Sequence, residues 1–434
     1  MAINPKHPSR RNVIKALGIG TAGALAAPKL LVSSARAAGR TVKIGMVSPQ
    51  TGPIAAFGEA DQWVLGEVRK ALANGITIAG EQHAVEIVYR DSQSNPNRAS
   101  EVAAQLINND KIDIMVASST SDTVNPVSDQ CEVNGVPCIT ADDPWESWFF
   151  GRRGDPAKGF EWTYHFFWGF GMVGNLFADM WLSMPTNKIA GVMFTNDPDG
   201  IAANDEQHGL PPLFKSKGFN VVNLGLYPPL SEDFTAQITQ LKNANAEICC
   251  GIFNPPQFVT FWTQCAQQGY HPKIMTPPKA VLFPSAVEAL GTRGTGISTE
   301  VWWSSHHPFK SGLTGQSAQQ FCDAYSAATG KQWTQPIGFK HACLEVAVDA
   351  LRRAKKLDAA AIRDAVADTN YQSLVGPLTW KGGGPANPVK NVCTTPLVGG
   401  QWEPGTKFKY DLKIAYNKTS PNIPLDAPFH EIKY

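Results

Sequence analysis

Two pairs of adjacent residues carry side chains that could do chemistry. Asp142 and Asp143 could act as a general acid and a general base, as in a secreted hydrolase. A glycosidase needs its two carboxyl groups roughly 5 to 10 Å apart across a sugar, and adjacency in the sequence does not establish that separation. His306 and His307 could bind a metal, but neighbouring side chains on an extended chain face opposite ways. We therefore expect neither an enzyme nor a metal site, and a hydrolase stays as an alternative class.

Local signatures of cofactor chemistry do not support a bound cofactor. Gly18, Gly20 and Gly23 satisfy the G-x-G-x-x-G spacing of a dinucleotide loop, but no strand precedes them. The sequence lacks the phosphate loop G-x-x-x-x-G-K-[ST], the serine hydrolase motif G-x-S-x-G and the zinc motif H-E-x-x-H. The sequence therefore predicts a protein without a cofactor.

Aromatic residues are concentrated between Trp145 and Phe170. This segment places eleven Phe, Trp and Tyr residues in 26 positions. From Trp162 to Phe170 every second residue is aromatic, and a period of two indicates an extended strand with one bulky face. Such rings can pack into a core, or they can line a ligand pocket between two domains. Both interpretations stay open for each ring.

Length and charge limit the class of protein. At roughly 100 to 200 residues per domain, 434 residues make two or three domains. The chain carries 38 Lys and Arg against 37 Asp and Glu, so no overall electric field would attract it to nucleic acid. We therefore expect no nucleic acid partner.

The first 37 residues have the layout of a cleaved secretory signal. A basic start that includes Arg10 and Arg11 leads into a modest apolar stretch and then into Ala35, Arg36 and Ala37. The arginine pair resembles a twin-arginine signal, whose cargo crosses the membrane already folded. The sequence therefore predicts a periplasmic protein, with the twin-arginine pathway as the indicated route.

The rest of the chain alternates short apolar strands with helices. A strand at 41–48 opens one such run, in which Asn95 and Pro96 start a helix, and a strand at 188–195 opens a second run. This alternation indicates parallel sheets covered by helices on both faces. The predicted fold class is α/β, with two doubly wound parallel-sheet lobes. Segments 395–402 and 407–416 are predicted strands that form an extra hairpin on the second lobe.

A series of motifs is shared, in order and spacing, with one known family. SPQTGPIAAFG at 48–58 follows the first strand, VPCI lies at 136–139, and VGPLTW lies at 375–380. In these motifs the chain resembles the extracytoplasmic solute-binding proteins of ABC importers, in the group similar to the leucine/isoleucine/valine-binding protein. The resemblance implies the type I periplasmic binding fold, a three-segment hinge that closes two lobes on a small ligand, and a monomer that serves an ABC permease.

The resemblance also gives the lobe boundaries. After the predicted signal at 1–37, lobe 1 comprises 38–166 with 306–374, and lobe 2 comprises 167–305 with 375–434.

Part of the ligand site implied by the resemblance follows strands of lobe 1. Ser119, Thr120 and Ser121 match a loop in which family members bind the ligand carboxylate with hydroxyls and N–H groups at a helix start. The next strand ends in Asp142 and Asp143, where the family has small and hydroxyl residues. Two acidic side chains there would repel a ligand carboxylate.

The remaining site positions implied by the resemblance differ from the amino acid binders in charge. Phe57 and Phe253 keep aromatic residues where the family has them, whereas Asp199 replaces an aromatic residue. Lys279 stands where the amino acid binders place an acidic residue that pairs with the ligand ammonium. A carboxylate would neutralise an amine, and a lysine would not.

We therefore predict a small organic ligand that is aromatic, heterocyclic or amide-like, and not a standard branched-chain amino acid. The rings of Phe57, Trp145, Trp168 and Phe253 would stack on it, and Asp142, Asp143 or Lys279 would hold its polar ends. Amino acid binding stays open as an alternative, as does a ligand-sensing module that reports to a membrane receptor.

Overall fold

The computed structural model describes residues 39–434, and the predicted signal segment 1–37 lies outside the described residues. From residue 39 onward, no helix is both long enough and apolar enough to cross a membrane.

Strands alternate with helices through most of the described chain. The strands in residues 39–434 are β1 (Val42–Ser48), β2 (Ile76–Ile78), β3 (Glu81–His83), β4 (Val85–Asp91), β5 (Ile114–Ser118), β6 (Cys138–Ala141), β7 (Thr163–Phe166), β8 (Ile189–Thr195), β9 (Asn220–Tyr227), β10 (Ile248–Ile252), β11 (Ile274–Thr276), β12 (Ser298–Val301), β13 (Asn370–Ser373), β14 (Gly376–Thr379), β15 (Val392–Cys393), β16 (Val398–Pro404) and β17 (Tyr410–Tyr416). The α-helices there are α1 (Asp61–Ala71), α2 (Pro96–Gln105), α3 (Ser121–Asn134), α4 (Trp145–Gly151), α5 (Phe170–Leu182), α6 (Pro198–Ala203), α7 (Leu210–Ser216), α8 (Thr235–Asn243), α9 (Pro255–Gln267), α10 (Pro284–Glu288), α11 (Ala318–Thr329), α12 (Pro336–Arg353) and α13 (Ala359–Ala367).

Six strands form one sheet in the order β15-β7-β6-β5-β1-β4, and every pair is parallel. All five residues of β5 are buried. An apolar strand buried on both faces is typical of a parallel sheet with a helix layer on each side. This sheet therefore confirms the predicted α/β class for the first run of strands.

A second parallel sheet has the order β11-β10-β8-β9. A third, antiparallel sheet has the order β12-β16-β17. Strands β16 and β17 pair directly with each other, which confirms the predicted hairpin near the end of the chain. The hairpin is not free, because β16 also pairs with β12.

The chain passes between the two parallel sheets more than once. It leaves the six-stranded sheet after Phe166, the last residue of β7. It returns to that sheet at β15, where Val392 and Cys393 pair with His165 and Phe166. Residues 392–393 therefore lie in the six-stranded sheet, although the predicted boundary at 375 assigns them to lobe 2.

Local signals explain two of the element starts. The Asn95 side chain accepts a hydrogen bond from Arg98 N at 3.0 Å, and Pro96 occupies the first turn of α2, as the sequence predicts. The predicted strand across the aromatic residues is shorter than expected, because Gly169 caps a new helix that begins at Phe170. Trp145 also packs so closely on Gly169 that a Cβ atom there would lie 2.0 Å from the indole nitrogen.

Candidate functional site

A cavity lies beyond the carboxyl ends of strands from both parallel sheets. Its walls include Phe57 after β1, Thr120 after β5 and Asp142 after β6, together with Asp199 after β8 and Lys279 after β11. The centre of a water-sized sphere can move through about 40 Å³ of it, within about 410 Å³ of empty space that includes a part open to solvent. Open α/β sheets bind ligands at this end of their strands, so this cavity is the candidate ligand site.

One wall of the cavity is aromatic. Trp168 packs on Phe167 with ring centroids 4.8 Å apart, and Phe167 packs edge to face on Trp302 at 5.0 Å. Phe170 also lines the cavity, and Phe57 meets Phe283 edge to face at 5.0 Å. This wall can stack on a planar ligand. The sequence predicted Phe57 and Trp168 as pocket residues, and the structure brings both to the cavity.

Asp142 is a buried carboxylate with one free oxygen. Ser118 Oγ donates a hydrogen bond to Asp142 Oδ2, whereas Oδ1 has no hydrogen-bond partner among residues 39–434. Burial raises the pKa of Asp142 to about 7, and the nearby Lys340 ammonium opposes that rise. Lys340 itself forms an ion pair with Asp61 at 3.1 Å. Asp142 can therefore change its charge near neutral pH.

Lys279 lies in a cluster of carboxylates. Its Nζ donates to Asp199 Oδ2 at 2.9 Å and to Asp197 Oδ2 at 3.2 Å. Burial alone lowers the pKa of Lys279, but the carboxylates of Asp197 and Asp199 raise it well above its usual range. Lys279 is therefore a fixed cation whose charge is already neutralised.

Asp143 completes this cluster from the other side. Burial, with the Asp199 carboxylate as the second cause, raises the pKa of Asp143 well above its usual range. A protonated Asp143 can donate a hydrogen bond to Asp199. Asp143 is fully buried, and neither of its carboxyl oxygens has a hydrogen-bond partner among residues 39–434.

The hydroxyl residues at the start of α3 have different positions. Thr120 lines the cavity, and its Oγ1 has no hydrogen-bond partner in the described part of the chain. Ser119 Oγ accepts a hydrogen bond from Thr123 Oγ1 at 3.0 Å, and Ser121 Oγ donates to Asp199 Oδ1 at 2.5 Å. Ser121 therefore joins the residues that follow β5 to those that follow β8.

Two predicted rings lie outside the cavity wall. Phe253 is fully buried among Tyr227, Phe234 and Phe261, so its ring belongs to a core cluster. Trp145 is partly buried and packs against Phe150. Its backbone N–H donates to Trp168 O at 3.1 Å. Trp145 thus supports the cavity wall without forming it.

Sequence reasoning missed several residues of the site, among them Trp302, Glu300 and Asp197. Trp302 lines the cavity from the segment after β12, and Glu300 lines it from that strand itself. Burial raises the pKa of Glu300 to about 7, and its Oε1 accepts a hydrogen bond from Lys279 N at 3.2 Å. Asp197 was also missed, although its place two residues before Asp199 and directly before a proline could have identified it as a helix cap.

The adjacent pairs Asp142–Asp143 and His306–His307 do not come together in one site. His307 packs near Ser304, with Nδ1 and Oγ 2.9 Å apart, and His306 lies 3.4 Å from Asp426. Over residues 39–434, no group of three or more His, Cys, Asp or Glu side chains is arranged to hold a metal ion.

Parallel strands of two sheets that end at one small, ring-lined cavity define a solute-binding protein of the type I periplasmic class. The family model described as "Periplasmic binding protein" matches residues 41–392, and the chain belongs to this family. The resemblance found in the sequence is thereby confirmed.

Individual relatives match most of the chain at low sequence identity. The Leu/Ile/Val-binding protein homolog 3 of Brucella melitensis is 24% identical over 373 residues, which are 80% of this chain and 89% of the relative. A leucine-binding protein from Thermotoga maritima superposes with a TM-score of 0.68 at 20% identity, covering 87% of this chain and 99% of that one. A solute-binding protein from Rhodopseudomonas palustris, in complex with 3,4-dihydroxybenzoic acid, gives a TM-score of 0.67 at 18% identity over 86% and 95% of the two chains.

Proposed function

We propose that the protein binds a small aromatic, heterocyclic or amide-like solute in the cavity and delivers it to an ABC permease. The observation that carries the proposal is the pairing of Lys279 with Asp197 and Asp199. The amino acid binders are expected to hold a free carboxylate there for the ligand ammonium. In this protein a lysine already occupies the carboxylates, so an amino acid ammonium would have to displace it.

The rings of the cavity support the same proposal. Trp168 and Trp302 are large planar side chains, and each is at most 5% exposed. Aromatic walls with a few polar groups are typical of sites for small organic molecules. The Rhodopseudomonas palustris relative, in its complex with 3,4-dihydroxybenzoic acid, indicates that this fold can hold a ring.

Binding of a branched-chain amino acid is the second candidate. It is favoured by relatives named as leucine-binding or Leu/Ile/Val-binding proteins. Asp142 argues against it at a pH above about 7, where its carboxyl group is ionised and would repel the ligand carboxylate.

Membership of the family supports a proposal for where the protein works and which protein it docks on. We propose that the chain works in the periplasm, where the predicted signal would send it, and that it docks on the membrane subunits of an ABC importer as a monomer. A sensing module would use the same fold and cavity but bind a receptor in place of a permease. A pull-down from solubilised membranes with the ligand-loaded protein distinguishes the two partners.

A thermal-shift screen of the purified protein tests the proposed ligand class. The compounds should include amino acids, aromatic acids, amides, purines and short peptides. A ligand at 100 times its dissociation constant adds about 2.7 kcal/mol to the stability of the folded state, which is a shift of a few degrees. Shifts with ring or amide compounds support the proposal, whereas shifts confined to leucine, isoleucine and valine contradict it. Slow chemical turnover of a binding compound would favour the hydrolase alternative.

A further inference from the structure

Four buried polar atoms of cavity residues have no hydrogen-bond partner among residues 39–434. They are the indole Nε1 atoms of Trp168 and Trp302, Thr120 Oγ1 and Asp142 Oδ1. All four side chains are at most 5% exposed. Burying a polar group without a partner is costly, so a ligand that pairs with these atoms gains affinity from each of them.

The chemistry of these atoms limits what the ligand can present. An indole N–H can only donate a hydrogen bond, and an ionised carboxylate can only accept one. A ligand that pairs with Trp168 or Trp302 therefore needs an acceptor, and one that pairs with Asp142 needs a donor. The Thr120 hydroxyl can meet either kind of group.

A carboxylate alone or an ammonium alone satisfies only half of this pattern. A carboxylate could accept from the indoles, but where Asp142 is ionised it has no donor for that residue and would be repelled by it. An ammonium could donate to Asp142, but it has no acceptor for the indoles. Lys279 is the cation of the cavity wall, and its two carboxylate partners already neutralise it.

We propose that the ligand carries an uncharged amide-type group, such as a carboxamide, a urea or a lactam, which Trp168, Trp302 and Asp142 recognise together. An amide places a carbonyl acceptor and N–H donors on neighbouring atoms, so one group meets both demands of the cavity. This inference rests on the proposed function, because it names the group that the solute-binding cavity selects. It makes Trp168, Trp302 and Asp142 the specificity-determining residues.

Matched compounds test the inference by titration calorimetry of the full purified chain. One set is benzamide, benzoate and benzylamine, and the other is propionamide, propionate and propylamine. We expect the amide of at least one set to bind about tenfold or more tightly than its carboxylate and its amine. Tighter binding of a carboxylate or an amine overturns the inference and leaves the proposed solute-binding function standing. Failure of both amides to bind at about 10 mM also overturns it. Binding of leucine or valine in place of all six compounds overturns the inference and the proposed ligand class together.

Variants of the two tryptophans test whether the indole N–H groups bind the amide. Trp168→Phe and Trp302→Phe keep a ring but remove the indole N–H. Each variant should lower the affinity for the bound amide about tenfold. Trp63→Phe is the matched control, because Trp63 packs against Phe321 and Tyr325 away from the cavity and should leave affinity unchanged. Unchanged affinity in both cavity variants would overturn the assignment of the indoles.

Asp142→Asn tests the other half of the pattern. Asp142 has a φ angle of 66°, a left-handed conformation that Asn tolerates well. Ser118 can still donate to the Asn oxygen, which leaves the new amide N–H₂ as a donor. The variant should therefore lose affinity for the amide and gain affinity for the matched carboxylate. An unchanged order of preference in a variant with a normal melting transition would overturn the role of Asp142. If this variant fails to fold, the two tryptophan variants still decide the inference.

Discussion

Lys279 differs from a typical surface lysine because it is buried and ion-paired. It is 8% exposed and adopts a φ angle of 70°, a left-handed conformation that is uncommon for residues other than Gly, Asn and Asp. Its N–H is held by Glu300, and its ammonium is held by Asp197 and Asp199. Breaking a buried ion pair by removing one partner is costly, because it leaves the other charge buried and unpaired.

We therefore expect the substitution Lys279→Met to cause a large loss of stability. Methionine keeps most of the length of the side chain but leaves two buried carboxylates without a cation. The free energy of unfolding should fall by about 3 to 5 kcal/mol, as measured by urea denaturation near pH 7.5. Lys381→Met is the control, because its ion pair with Asp368 joins side chains that are both 64% exposed and should contribute little. Equal losses in the two variants would show that the buried pair adds no stability.

At the scale of elements, the hairpin of β16 and β17 is part of the core. Trp402 in β16 is 2% exposed, and its Nε1 donates to Val281 O at 2.8 Å. Its backbone also joins the sheet, since Gly296 N donates to Trp402 O at 2.8 Å. The hairpin thus packs on the segment between β11 and β12, which contributes Lys279 to the cavity, and it pairs with β12, which contributes Glu300.

Trp402→Ala should destabilise the whole fold. Replacing a buried Trp by Ala leaves a cavity and an unpaired carbonyl at Val281, and such changes typically cost about 3 to 5 kcal/mol. Phe150→Ala is the control, because Phe150 is 51% exposed and lies on the surface of α4. A loss of stability for Trp402→Ala no larger than for Phe150→Ala, measured by the same denaturation, would mean that the hairpin is an appendage.

Elements were predictable from the sequence where their signals are local. The alternation of short strands and helices, the cap at Asn95 and the hairpin near the end of the chain all depend on residues close together in sequence. The position of β15 was missed, because two residues, Val392 and Cys393, give no periodic pattern. Their pairing with β7 depends on contacts across more than two hundred residues of chain.

Site residues were predictable by position but not by partner. The resemblance placed Thr120, Asp142 and Lys279 at the ends of strands, and each lines the cavity. The pairing of Lys279 with Asp197 could not be read from the sequence, because 82 residues separate them. Phe253 illustrates the opposite case, since an aromatic residue after a strand can turn into the core as easily as toward a ligand.

At the scale of the whole molecule, the two parallel sheets meet through residues that follow their strands. Ser121 and Asp199 are hydrogen-bonded at 2.5 Å, and Phe57 and Phe283 are in edge-to-face contact. These contacts join residues beyond the six-stranded sheet to residues beyond the four-stranded sheet. We propose that this is the closed arrangement of the two predicted lobes and that a hinge motion separates these pairs.

The molecule also buries an unusual set of titratable groups. Burial raises the pKa values of four carboxyl groups to about 7: Asp142, Glu146, Glu300 and Glu345. Burial lowers the pKa values of three histidines to about 3: His165, His307 and His341. These histidines are neutral in the folded state and about half protonated at pH 6.5 in the unfolded chain, so their contribution to stability rises with pH and offsets part of the fall that the carboxyl groups cause.

The melting temperature should therefore fall as the pH rises from 6.5 to 8. The four carboxyl groups hold protons in the folded state near pH 6.5, whereas the same groups are ionised in the unfolded chain. Raising the pH removes those protons from buried sites and costs on the order of 1 kcal/mol per group. Thermal unfolding of the ligand-free protein at constant ionic strength measures the fall, and Asp142→Asn should make it smaller by removing one of the groups. A melting temperature that stays constant or rises across this range would mean that the buried carboxyl groups are already ionised and paired in the folded state.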